Sequence, residues 1–347
     1  MMMIDYRSDT LTKPGPAMLE AMMQAEVGDD VYGEDPTINA LQTYVTDLFG
    51  MEAALFCASG TMCNQIAIRL HTQPQDEVIC DQRSHVYRYE AGGIAANSLA
   101  SVRLLDGHRG ILTADMIAEA INPDDMHFPP STLVSLENTV NKGGGVCYET
   151  KNLTSIAQLC GEKEIGLHLD GARLFNALVA KKQNPKDFGR IFDTISVCLS
   201  KGLGAPVGSV LLLPQKWLAK AQRIRKLMGG GMRQGGYLAA AGLYALQHQV
   251  DRLAVDHQRA AILADMLSSL PGIIEVMPVE TNIIIFKPDP SWMSVPQLVD
   301  QLGIEGIKVS PFGKDYIRIV THLDISEEMV AKSLEVVKRI GTQAVAS

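Results

Sequence analysis

The chain lacks the features that mark metal-binding, membrane-spanning and nucleic-acid-binding proteins. Its six cysteines (Cys57, Cys63, Cys80, Cys147, Cys160 and Cys198) are scattered, and no two form a C-x-x-C pair. That pattern argues against a metal centre or a disulfide framework and predicts buried free thiols in a reducing cytoplasm. No apolar run approaches the roughly 18 residues of a membrane span. The start, Met1-Met2-Met3-Ile4-Asp5-Tyr6-Arg7, has neither the basic region nor the long apolar core of a signal peptide. A basic excess is missing too: 31 Lys and Arg stand against 39 Asp and Glu, a formal charge of −8. Nucleic acid is therefore not expected as the main partner, because phosphate backbones are bound by basic faces. A local basic pocket for a single phosphate remains open. Internal repeats and low-complexity segments are absent.

What is present reads as a soluble enzyme. The 347 residues allow one large domain and a smaller one, and 46% hydrophobic with 20% charged residues is an ordinary globular balance. Strand patterns fall at 53–58, 77–81, 101–105, 131–137, 167–170, 194–199 and 208–213. Helical patterns at 61–70, 113–121 and 153–163 lie between them. This alternation predicts an α/β fold with a mostly parallel central sheet, buried on both faces by flanking helices. Helices are predicted at 17–25 and 37–49, the second started by Asp35 and Pro36. A long helical stretch, with room for a break, covers 235–270. After Pro271-Gly272, strands at 282–286, 307–310 and 316–320 and helices at 295–302 and 326–340 predict a small C-terminal α+β domain. The expected division is an N-terminal segment 1–16, a large domain 17–250 and a small domain 251–347.

Two stretches carry most of the chemistry. His168-Leu169-Asp170-Gly171-Ala172-Arg173 and Ser200-Lys201-Gly202 each end an apolar run in a charged group followed by small residues. They place Asp170 and Lys201 at the carboxyl ends of neighbouring strands, where ligands of such sheets gather. Pyridoxal 5'-phosphate needs that pair. The lysine amine forms a Schiff base with its aldehyde, and the carboxylate keeps the pyridine nitrogen protonated. The competing reading is a surface ion pair of little energetic consequence.

Other residues add to the pattern. Ser59-Gly60-Thr61 opens a helix after a strand, which suits a phosphate; a plain helix cap is the better reading of the tripeptide alone. His85 follows the 77–81 strand and fits either a group stacked on a cofactor ring, a base, or a solvated loop histidine. His127 precedes the 131–137 strand, which by position makes it a surface residue. Val31-Tyr32-Gly33-Glu34-Asp35-Pro36 fits helix capping. Met228-Gly229-Gly230-Gly231-Met232-Arg233-Gln234-Gly235-Gly236 is glycine-rich at an entropic cost that usually serves a ligand or a neighbouring subunit. Arg233 and Lys226 there could meet a phosphate. Arg318, inside Tyr316-Ile317-Arg318-Ile319-Val320, needs a partner, either a protein acid or a substrate carboxylate.

Together these residues resemble the low-specificity L-threonine aldolases, pyridoxal-phosphate enzymes of the aspartate-aminotransferase-like fold type I. The resemblance runs from Arg7-Ser8-Asp9-Thr10 through Gly28–Thr37, Ser59-Gly60-Thr61-Met62, Ser84-His85, Glu137-Asn138-Thr139 and the Asp170 and Lys201 motifs to Gly229-Gly230-Gly231-Met232-Arg233-Gln234 and Arg318. It implies Lys201 as the Schiff-base lysine, Asp170 at the pyridine nitrogen, and Arg173 near the ring's 3'-hydroxyl. Ser59, Gly60 and Thr61 hold the phosphate, with Lys226 and Arg233 as further cofactor contacts. His85 stacks on the ring, and His85 or His127 handles the proton of the substrate's β-hydroxyl, which overrides the surface reading of His127. Ser8, Arg173 and Arg318 fix the substrate carboxylate. Tyr32 and Arg233 meet an active site across a subunit boundary, so a homodimer or homotetramer with shared sites follows. The implied reaction is retro-aldol cleavage of a β-hydroxy-α-amino acid to glycine and an aldehyde. A β-eliminating lyase, an aminotransferase and a non-catalytic protein of the same fold are the alternatives. The chain departs from the family after Glu137-Asn138-Thr139. Where histidine is common it has Val140, then Asn141-Lys142-Gly143-Gly144-Gly145, in a loop expected near the substrate.

Overall fold

Apolar runs of five to seven residues fold into the strands of one large sheet, and a smaller sheet follows it in the chain; the computed structural model describes residues 3–343. After the short β1 (Ile4–Asp5), the large sheet comprises β2 (Ala53–Cys57), β3 (Glu77–Asp81), β4 (Ser101–Leu105), β5 (Ser131–Glu137), β6 (Gly166–Gly171), β7 (Thr194–Cys198) and β8 (Ser209–Leu213). Their spatial order is β2-β8-β7-β6-β5-β3-β4. Only β8 runs against its neighbours. Every residue of β2, β3, β7 and β8 is buried; β2 is apolar throughout, as burial on both faces favours, whereas β3 and β7 also bury Glu77, Asp81, Thr194 and Ser196. The edge strand β4 breaks that expectation. Its Ser101, Arg103 and Leu104 are exposed, because nothing pairs beyond it.

The segment between β6 and β7 folds as two short helices, Leu174–Lys181 and Pro185–Ile191, that were not anticipated. The long helical stretch divides into Gly236–His248 and Leu253–Ser268. Leu253 joins the core of the large sheet, whereas Ala260 and Leu263 pack into a second core. One helix therefore ties the two cores together.

The second core lies against a four-stranded antiparallel sheet. Its strands are β9 (Ile273–Val276), absent from the sequence pattern, β10 (Ile283–Pro288), β12 (Ser310–Phe312) and β13 (Tyr316–Val320), in the order β12-β13-β10-β9. The predicted strand 307–310 splits, because its first part, β11 (Ile307–Lys308), pairs with β1 instead. The N-terminal segment thus belongs structurally with the small unit, whose core takes Ile4 and Tyr6. On β13, Ile317 and Ile319 enter this core, and alternation turns Tyr316 and Arg318 to the opposite face. Among the described residues no helix is long and apolar enough to cross a membrane.

Candidate active site

Strand order reverses between β3 and β5: the chain leaves β3 outward to β4, and leaves β5 inward to β6 and β7. A crevice opens at the carboxyl ends of strands at such a point. His85 follows β3, Glu137 ends β5, Asp170 is the penultimate residue of β6, and Lys201 follows β7. Two cavities meet there, of about 300 and 380 Å³, and share Thr10, His85, Ala172 and Lys201.

The first cavity is lined by Ser59, Gly60, Thr61, Asn64 and Asp170. The helix Gly60–His71 starts here, with the Ser59 hydroxyl accepting from Met62 N–H. The N–H groups of Gly60 and Thr61 remain at its open, electropositive end. A Cβ on Gly60 would meet nothing nearer than Ser209 Oγ at 3.6 Å, and that buried hydroxyl has no hydrogen-bond partner. A helix end whose first two N–H groups are left open, beside an orphaned hydroxyl, fits a phosphate.

Asp170 is held by a buried network. Its Oδ2 accepts from Asn64 Nδ2 at 3.0 Å and its Oδ1 from Ala172 N–H at 3.1 Å. Asn64 also donates to Glu90 Oε1 (2.8 Å) and accepts from Ser196 Oγ (2.7 Å). His168 approaches Asn64 Oδ1 with Nε2 (3.1 Å) and Thr194 Oγ1 with Nδ1 (2.9 Å). Burial lowers the His168 pKa to about 4, so this imidazole is neutral. With Nε2–H donating to Asn64, Nδ1 accepts the threonine hydroxyl, and every group in the chain is satisfied.

His85 sits over the junction of the cavities, with Nδ1 2.9 Å from Glu90 Oε1. Burial disfavours its charged form, but the Glu90 hydrogen bond and the Asp170 and Glu90 charges prevail and raise its pKa. Its backbone N–H and that of Asn141 both donate to Glu137 at 2.9 Å. Burial, followed by the Asp170 charge, still raises the Glu137 carboxyl to about 7. His85, Glu90 and Asp170 form the one group of acids and imidazole among the described residues close enough to share a metal ion. Asn64 already bridges two of the three, so we read the group as a hydrogen-bonded network.

The second cavity holds the arginines. Arg173 is buried and makes a two-point contact with Asp9, at 2.8 Å through Nε and 2.6 Å through Nη2. Burial opposes ionisation of Asp9, but the Arg173 guanidinium holds the carboxyl far below the usual range. Only Nη1 of Arg173 is left without a partner among the described residues. Arg318 is different. Its Nη1 donates to Asn141 Oδ1 and its Nη2 to the Arg7 carbonyl, each at 3.0 Å, while its buried Nε has no partner. Burial and the neighbouring Arg173 charge lower its pKa. No carboxylate among the described residues pairs with it. A half-buried guanidinium with no acid is suited to a carboxylate. Ser8 lines the same cavity and caps the turn Asp9–Leu11.

Four sequence candidates lie elsewhere in the chain. His127 is exposed in the loop before β5 and pairs with Asp125 at 2.7 Å. That loop opens on the amino edge of the sheet, opposite Lys201, so within one chain the positional reading describes it. Tyr32 is 75% exposed, Arg233 pairs with Asp29 at 2.8 Å, and Lys226 projects from the helix Gln215–Leu227; none lines either cavity. Their segments cluster with one another, since Gly231 packs on both Lys226 and Val31. Part of the glycine-rich run serves its own chain: Gly236 N–H donates to Asp35, which also caps the helix Pro36–Phe49.

Family comparison accords with this geometry. Residues 5–289 match the model of the beta-eliminating lyase family. The chain is 43% identical over 331 residues to the low specificity L-threonine aldolase of Escherichia coli K12, covering 95% of this chain and 97% of that one. It belongs to the low-specificity L-threonine aldolase family. The low-specificity L-threonine aldolase 1 of Arabidopsis thaliana is 40% identical over 340 residues, covering 96% and 95% of the two chains. Among solved structures, the Leishmania major threonine aldolase superposes with a TM-score of 0.85 at 24% identity, over 97% of this chain and 99% of that one. That likeness establishes the shared fold.

In this member of the aldolase family, Asp9, Asn64, Glu90 and Glu137 belong to the site although sequence reading gave them no role. Asp9 and Glu137 lie within motifs that carried the resemblance. Asn64 and Glu90 have no local signal, because only the packing of the helix Gly60–His71 over the sheet brings them to Asp170.

Proposed function

We propose that this chain is a pyridoxal-phosphate-dependent L-threonine and L-allo-threonine aldolase, which cleaves the Cα–Cβ bond of β-hydroxy-α-amino acids to glycine and an aldehyde. The observation that carries the reading is the junction at Lys201: one cavity suits the cofactor, and the other contains an arginine that lacks an acid. When bound, pyridoxal phosphate supplies an electron sink for charge developing at the substrate Cα. The chain does the rest. Lys201 would anchor the cofactor, Asp170 would serve its ring nitrogen, and the open end of the helix Gly60–His71 would take its phosphate. His85 would pack against the ring. Arg318, aided by Ser8 and the free Nη1 of Arg173, would fix the substrate carboxylate and so select which bond at Cα is broken.

His85 or His127 takes the β-hydroxyl proton in this reading, with His127 arriving from a second copy. The exposed Met126 and Phe128 on either side of it, and the exposed Tyr32 and Leu227 near Lys226, supply apolar surface for that association. A homodimer or homotetramer acting in the cytoplasm follows, where six buried, unbonded thiols remain reduced.

The deciding assay compares glycine and acetaldehyde release from L-threonine and L-allo-threonine. Ammonia and a keto acid in place of glycine would identify a β-eliminating lyase. The purified protein should also be yellow, and Lys201→Ala should lose the colour that borohydride bleaches in the wild type. A colourless wild type supplied with the cofactor would refute the assignment.

A further inference from the structure

The Val140–Val146 loop, where the sequence departs from its family, brings a second unpaired cation to the substrate cavity. The loop closes through Val140 N–H to the Val146 carbonyl at 3.0 Å and Gly145 N–H to the Val140 carbonyl at 2.9 Å. Its glycines are required. Gly144 and Gly145 have φ of +78° and +71°, and a Cβ on Gly143 would lie 2.0 Å from the Arg109 carbonyl oxygen. Asn141 and Lys142 are thereby held at fixed positions on the cavity wall.

Lys142 makes no ion pair with any described residue. Its ammonium lies 4.1 Å from the centroid of the Phe312 ring and 5.4 Å from that of Tyr89. Both rings line the same cavity. Aromatic faces hold a cation in place without neutralising it. Register shows how this cation sits relative to Arg318. Ser310 pairs with Arg318 and Phe312 with Tyr316, so Phe312 and Arg318 share one face of the hairpin. Their positions are offset by two residues, roughly 7 Å of strand. A molecule with carboxylates three bonds apart can reach both cations. The methyl group of threonine offers Lys142 nothing.

We propose that Lys142 is a specificity residue that admits β-hydroxy-α-amino dicarboxylates, with Arg318 holding the α-carboxylate and Lys142 the carboxylate on the β-carbon. The inference rests on the aldolase reading above. A single ammonium matches one carboxylate; phosphate sites recruit more donors, as at Gly60. For 3-hydroxyaspartate the Cα–Cβ bond breaks and the β-carbon leaves as the aldehyde of glyoxylate. The hydroxyl proton is removed, and Cα gains a proton to give glycine, so the reaction needs no added oxidant or reductant.

The test uses the holoenzyme and its Lys142→Met and Lys142→Arg variants. Glycine release is measured from L-3-hydroxyaspartate and from L-threonine. Lys142→Met should lower kcat/KM for hydroxyaspartate about tenfold or more, the scale of one charge-assisted hydrogen bond, and leave threonine within about twofold. Lys142→Arg should retain most hydroxyaspartate cleavage. Equal loss on both substrates, no loss on either, or a wild type active on threonine and inert on hydroxyaspartate would overturn the proposal. Binding supplies an arm independent of cleavage. In titration calorimetry, Lys142→Met should weaken L-aspartate about tenfold and leave L-alanine unchanged; equal effects on the two ligands count against Lys142. A wild type that cleaves neither hydroxy acid refutes the aldolase reading, and the aspartate titration then still decides the role of Lys142.

Discussion

Arg318 shows how one side chain can be read both from sequence and from structure. A cation between isoleucines demands a partner, and the structure supplies a carbonyl and an amide but no acid. Replacing Arg318 with Ala should therefore cost kcat/KM for L-threonine about a hundredfold, the worth of one or two charge-assisted hydrogen bonds. Arg318→Lys should recover little, because an ammonium cannot present the two-point fork. Steady-state kinetics decide the matter, and an Arg318→Ala enzyme with unchanged KM and kcat would rule out the carboxylate role. Asp170 and Lys201 were similarly legible, since a charged residue closing an apolar run has only the strand end to occupy. Asn64 and Glu90 were not. Each is an ordinary polar residue in its own neighbourhood, and only tertiary packing aims them at Asp170. Arg173 falls between these cases. Its place in the cavity was legible, but its commitment to Asp9, far away in sequence, was not.

At the scale of elements, the apolar strands were legible because burial on both faces leaves no room for polar alternation. The edge strand β4 was legible at its observed bounds, 101–105, whereas strand β9 was obscured because partial exposure dilutes its pattern, and the helices after β6 because each spans only seven or eight residues. Pairing of the N-terminal segment with β11 had no sequence signal at all, because a two-residue ladder leaves no periodicity. That segment is nevertheless tied to the site. The turn Asp9–Leu11 meets the loop after β6 through the Asp9–Arg173 pair, and Asn282, just before β10 of the small sheet, donates to the same carboxylate at 3.3 Å. Three elements converge on one buried charge. Asp9→Ala should destabilise the fold by about 3–5 kcal/mol, because it strands a buried guanidinium. Adding Arg173→Met should restore much of that loss while leaving the enzyme inactive. Urea midpoints for the single and double variants test this, and an Asp9→Ala protein as stable as wild type would contradict the role of the pair.

For the whole molecule, partly or fully buried histidines and a buried glutamate set opposing responses to pH. His168 titrates near 4 in the fold against an ordinary value of 6.5, so between these values the unfolded chain holds more protons and stability rises with pH. Glu137 titrates near 7 against 4.5, so across that range the native state holds more protons and stability falls as pH rises. Each shift corresponds to about 3 kcal/mol, and His71 and His257, lowered by burial to about 3 and about 4, add to the His168 response. Without added cofactor, His168→Gln should therefore flatten the rise of stability between pH 4 and 6.5, and Glu137→Gln should steepen it. Parallel slopes in the two variants would show that these groups do not govern the response. Assembly yields the other prediction at this scale. His127 lies on the amino edge of its own sheet and Lys201 on the carboxyl edge, so one chain cannot bring them together. If His127 serves a neighbouring site, Lys201→Ala and His127→Ala are each nearly inactive, yet defective in different halves of a shared site. Random assembly of an equal mixture gives half mixed dimers, and a two-fold dimer then contains one site with both residues intact. The mixture should recover about a quarter of wild-type activity by this count of symmetric pairings. Recovery requires subunit exchange, so it should appear on co-refolding and be absent when pre-formed, cross-linked oligomers are combined. A co-refolded mixture no more active than its parents would place His127 outside the shared site, and full activity of His127→Ala alone would remove it from the reaction.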